Sequence, residues 1–80
     1  MHELGVLRQI VKTVDRIASE NHISAVKQIV LEVGELSGFV FHYLGKLFPV
    51  AIEGHPVLQT AQLRICPASG KRLMIKEIAY

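Results

Sequence analysis

"VKQIVLEVGELSG", residues 26–38, is the stretch whose reading decides the fold. Ile29, Leu31 and Val33 alternate with Gln28, Val30 and Glu32, and this period of two predicts a strand with the first set on its buried face. "GELSG" then breaks the strand, and Ser37 is placed to cap a helix that follows. A helical apolar pattern flanks the stretch on each side. Over residues 3–20, Leu4, Leu7, Ile10, Val11, Val14, Ile17 and Ala18 fall on one stripe, opposite Arg8, Gln9, Lys12, Asp15, Arg16 and Ser19. Asn21 is suited to a left-handed stop for that helix. Over residues 39–52, Val40, Leu44, Leu47, Phe48 and Ala51 cluster in the same manner. Pro49 lacks a donor and crowds the preceding turn, which predicts a kink or break near Phe48.

Further along, "EGHP" (53–56) reads as a turn, and Ala61, Leu63 and Ile65 alternate with Gln62 and Arg64 as a strand. "CPASGK" (66–71) is another turn, before Leu73 and Ile75 alternate with Arg72, Met74 and Lys76 in a last strand. The order is α-β-α-β-β. This is an α/β chain of α+β character, with two helices packed on one face of a three-stranded sheet. The strand–helix–strand part crosses over right-handedly if its strands are parallel. The other sheet face is expected to carry Val26, Gln28, Val30, Glu32, Gln62 and Arg64.

Composition bounds the function. Eighty residues make one domain, 1–80, and 50% hydrophobic content supplies a single core and argues against disorder. No apolar run approaches the ~20 residues of a membrane span. No basic segment followed by an apolar run opens the chain, and the lone Cys66 forms no internal disulfide; both point to the cytoplasm. A net charge of +2, dispersed along the chain, does not fit a nucleic-acid binder. There is no Gly-rich phosphate loop and no Ser/His/Asp spacing, so the chain does not read as an enzyme.

The chemistry lies at Met1-His2-Glu3. A free amine, the His2 amide nitrogen and the His2 imidazole can close fused chelate rings around one ion, a nitrogen-rich planar set that suits Ni(II) or Cu(II). Glu3 can add its backbone nitrogen or its carboxylate. Protons leave as the metal binds, so affinity falls as pH drops. The strand after the first helix runs back toward the amino terminus, so Glu35 is expected near His2 and Glu3, where the second helix opens its N–H groups to anions. His42, early in that helix, is a further candidate ligand. His22 reads as a surface residue at a helix end, and His55 as a solvated turn residue.

"MHELGVL", "IVKTV", "LEVGELSGFV", "YLGKLFPVAIEG" and "SGKRLMIKEI", in this order, resemble the HypA family of hydrogenase maturation proteins. The resemblance implies a nickel metallochaperone domain with Ni(II) at Met1, His2 and Glu3, His2 being the family's named ligand. It implies a HypB-type GTPase and the hydrogenase large subunit as partners, and in some cases urease maturation proteins. Two departures stand out. The family carries a zinc module with paired CxxC motifs between its last two strands. Here that interval shrinks to "CPASG", at about 66–70, and a single thiol leads to no zinc in this chain. Val40 stands where some relatives place an acidic residue, which leaves a carboxylate ligand to Glu3 or Glu35. The alternative is a metal-independent protein-interaction module of the same fold, or a homo-oligomer formed by strand exchange across the shortened connection.

Overall fold

The computed structural model describes residues 2–80. Helix α1 spans Glu3–Glu20, strand β1 Gln28–Gly34 and helix α2 Phe41–Ala51; a single 3-10 turn at Pro56–Leu58 leads to β2, Gln62–Ala68, and β3, Leu73–Ala79. The sheet order is β2-β1-β3, with β1 parallel to β2 and antiparallel to β3. The last two strands are therefore not neighbours. They flank β1, and residues 69–72 carry the chain across its exit.

Periodicity explains what each element buries. Leu7, Ile10, Val11, Val14 and Ala18 of α1 and Leu44, Phe48 and Ala51 of α2 share one core with Ile29, Leu31 and Val33 of β1 and with Leu58. Leu7, Leu31 and Leu44 are fully buried, each contributing about 1.5–3 kcal/mol relative to exposure. The edge strands contribute half-buried residues, Leu63 and Ile65 on one side and Leu73, Ile75 and Ile78 on the other. A bulge between Val30 and Leu31 in the β1–β3 pairing keeps Ile75 opposite Leu31 and Ile78 opposite Ile29. Val30 is buried outside the core cluster, on the sheet's second face, opposite Arg64 and Glu77. Val26 is not on that face. It precedes β1, is fully buried in the main core and donates its N–H to the Val57 carbonyl at 2.9 Å.

Four local expectations are corrected. Helix α2 starts at Phe41 with Val40 as its N-cap, while the Ser37 hydroxyl accepts the Phe39 N–H instead. The helix continues through Pro49 to Ala51. Pro49 sits so near the end that its missing donor leaves only the Gly45 carbonyl short of a helical partner, and Gly45 is exposed to water. The left-handed stop of α1 is His22, at φ 56°, and not Asn21. Ile23 N–H bonds the Ala18 carbonyl at 2.8 Å and His22 N–H that of Ser19 at 3.3 Å, a Schellman arrangement that lets Ile23 pack onto the core. Finally, β2 extends through Cys66, Pro67 and Ala68; Pro67 is tolerated because β2 is an edge.

The crossing at 69–72 is tight. Glu35 N–H reaches the Ala68 carbonyl at 2.7 Å, Leu36 N–H that of Gly70 at 2.8 Å, and Gly34 N–H that of Arg72 at 2.7 Å. A Cβ on Gly34 would lie 2.3 Å from the Gly70 oxygen, so only glycine lets the two backbones approach this closely. Gly70 itself sits at φ 89°, where a side chain is strained.

Candidate metal centre

Helix α1 begins at the second peptide of the chain. His2 is its N-cap, with φ −111° and ψ 31°, and its carbonyl accepts the Val6 N–H at 3.0 Å. The backbone nitrogens of His2 and Glu3 therefore stand before the i→i−4 ladder begins, where a metal can approach a main-chain nitrogen without breaking helical bonds. The His2 imidazole is exposed.

Glu3 is the opposite case. It is the one buried charged residue among those described, only 3% exposed. Its carboxylate Oε2 accepts the Val40 N–H at 2.8 Å, so it reaches from the first turn of α1 to the start of α2. The positive amino terminus and then the Val40 N–H hold the Glu3 carboxyl at about 2, below its ordinary 4.5. An ionised side chain at two helix N-termini is favoured by both sets of unsatisfied N–H groups. Glu3 thus satisfies the N–H of the α2 N-cap residue, Val40, while Ser37 caps no helix.

The remaining candidates divide. Met1 lies outside the described residues. His42 is exposed in the first turn of α2, two residues past Val40, with its ring 6.0 Å from that of Tyr43. Glu35 is exposed in the turn after β1, its backbone tied to Ala68. Among the described residues no three His, Cys, Asp or Glu side chains come together as a metal cluster. Val40, where an acid was sought, is 44% exposed and offers the site only its backbone N–H.

His55 was missed by sequence reasoning. It is only partly exposed, and its Nδ1 is hydrogen-bonded to Asp15 Oδ2 across 40 residues. Nothing in the local sequence signals the pair, because α1 and the turn after α2 meet only through packing. Cys66 is half-buried and forms no disulfide.

Fold and site together define a class: a two-layer α+β domain whose amino-terminal Glu3 is held against the start of its second helix, with His2 exposed beside it. Residues 1–74 match the family model described as hydrogenase/urease nickel incorporation, metallochaperone, hypA. The chain belongs to the HypA family, one of metallochaperones and not of enzymes. It is 36% identical over 73 residues to the hydrogenase maturation factor HypA of Legionella pneumophila (strain Corby), covering 91% of this chain and 64% of that one. Identity to the hydrogenase maturation factor HypA of Parabacteroides distasonis is 39% over 54 residues, 68% of this chain and 47% of the relative. The chain thus spans less than two thirds of the length of these relatives. Its fold matches the solution structure of the nickel metallochaperone HypA from Helicobacter pylori at TM-score 0.78 and 19% identity, over 96% of this chain and 72% of that one. A second HypA solution structure matches at TM-score 0.73 and 18% identity, over 98% and 90% respectively.

Proposed function

We propose that this domain binds one Ni(II) ion at its amino terminus and hands it to a hydrogenase maturation partner. The observation that carries the reading is the Glu3–Val40 hydrogen bond, which fixes the first turn of α1 while the His2 imidazole stays exposed. The ligands are the terminal amine, the His2 imidazole and the backbone nitrogens at the start of α1, a nitrogen set suited to Ni(II). Glu3 acts chiefly as the anchor, since its carboxylate already serves the start of α2. Protons leave the amine and amide as nickel binds, so lower pH releases the ion, which suits delivery.

The same end of the molecule exposes Leu36, Val40 and Tyr43, apolar surface that a HypB-type GTPase or the hydrogenase large subunit would cover during transfer. Urease maturation proteins are the other recipients within the family's range. Zinc has no part in this reading. A structural zinc site takes four ligands, commonly thiolates, and this sequence holds one cysteine. Residues 69–72 close the sheet directly, and the domain works in the cytoplasm as a nickel carrier without a zinc module.

The test is calorimetric titration of Ni(II) into the untagged chain, its His2→Ala variant and a version extended by one residue at the amino terminus. One site per chain in the parent, lost in both variants, is the expected result. Equal binding by all three, or none by any, would overturn the amino-terminal site and leave the interaction-module reading.

A further inference from the structure

A cavity of about 310 Å³ opens between the middle of α1 and the exit of α2, lined by Arg8, Lys12, Val50, Ala51, Glu53 and His55. It lies one to three turns along α1 from the amino-terminal site. Arg8 and Lys12 are four residues apart and so share one face of the helix. Neither makes an ion pair or side-chain hydrogen bond with the described residues. Asp15, one turn on from Lys12, turns its Oδ2 to His55 Nδ1. Both cations therefore stand without an ion pair among the described residues at the mouth of a concave site. Val50 and Ala51 supply an apolar wall, and the exposed Glu53 is the acid on the opposite rim.

We propose that this groove binds an oxyanion, a phosphate or carboxylate group, between Arg8 and Lys12. The guanidinium offers a planar fork to two oxygens and the ammonium a point charge beside it. The volume, at the lower end of small-molecule pockets, leaves room for a small organic body against Val50 and Ala51. Glu53 makes no ion pair with either cation, and its negative charge across the groove opposes an arriving anion. The site is independent of nickel and is tested on metal-free protein.

Sodium phosphate and sodium succinate are titrated separately, at constant ionic strength, into ¹⁵N-labelled protein followed by NMR. Saturable shifts at the amides of Arg8, Ala51 and His55 are expected with at least one probe. A response to phosphate alone assigns a phosphate ligand, and a response to succinate alone a carboxylate. In R8Q/K12Q the shifts vanish while the rest of the spectrum is retained, and in E53Q affinity rises about three-fold as the opposing charge goes. No saturable shift with either probe, identical shifts in R8Q/K12Q, or unchanged affinity in E53Q would each overturn the proposal.

Discussion

The Glu3 carboxylate accepts the Val40 N–H at 2.8 Å, joining two helix starts that lie 37 residues apart in sequence. This bond ties the starts of α1 and α2 together, beside the core that the two helices share. Both helices start at the same end of the sheet, which is how α2 comes to finish beside Arg8 and Lys12.

Replacing Glu3 with Gln is expected to lower stability at neutral pH. The Glu3 carboxyl is depressed to about 2 in the fold, from an ordinary 4.5, so its contribution is fully present above 4.5 and is lost as pH falls toward 2. Urea midpoints of parent and E3Q measured from pH 7 to pH 2 should therefore converge at the acid end. A constant difference across the range would mean that the charge is not what stabilises the contact.

At the nickel site proposed above, the same E3Q variant should weaken binding without abolishing it. If Glu3 positions the first turn, affinity falls ~10–100-fold, the range typical of residues that orient ligands from behind. Titration of Ni(II) at fixed pH, beside His2→Ala, separates the two roles. E3Q matching His2→Ala in total loss would make Glu3 an obligatory ligand.

Gly34→Ala should destabilise the domain by ~1–3 kcal/mol or more, because the new methyl meets backbone atoms that cannot rotate away. The Gly70 oxygen would be 2.3 Å and its carbonyl carbon 2.7 Å from the added Cβ. Urea unfolding reads this directly, and a neutral result would show that residues 69–72 shift readily.

His22→Gly should stabilise by roughly 0.5–1 kcal/mol, the relief of a left-handed residue offset by a more flexible unfolded chain. Its φ of 56° suits glycine, and its side chain is exposed and makes no contact that the change would remove.

Pro49→Ala should raise stability by ~1–2 kcal/mol, since it restores one helical bond to Gly45 and removes the ring from the preceding turn. Thermal unfolding of the variant is the measurement. A fall in midpoint would assign the proline a packing role at the α2 exit.

Much of this architecture was legible from residues 26–38 outward, since alternation and helical spacing report which face of each element meets the core. Ile29, Leu31 and Val33 in β1 and Leu7, Val11 and Val14 in α1 needed no tertiary information. The adjacency of an amine, an imidazole and a carboxylate at residues 1–3, on which the proposed chelate rests, is likewise a matter of local sequence. Other features depended on partners distant in sequence. Pro49 stays helical because it falls near the helix end, and the stop passed from Asn21 to His22 because Ile23 had apolar surface to reach. Ser37 caps no helix, and the Val40 N–H is met by Glu3, which no local pattern could announce.

By itself, then, the sequence determined the elements and their buried faces, because these depend on periodicity, and it placed an amine, an imidazole and a carboxylate side by side at Met1, His2 and Glu3. Only the tertiary structure decided that β2 and β3 flank β1, that Glu3 is buried against Val40, and that His55 pairs with Asp15. Each is a contact between chain segments that the packing of two helices on one sheet face brings together, and contacts of that kind have no signature in local spacing.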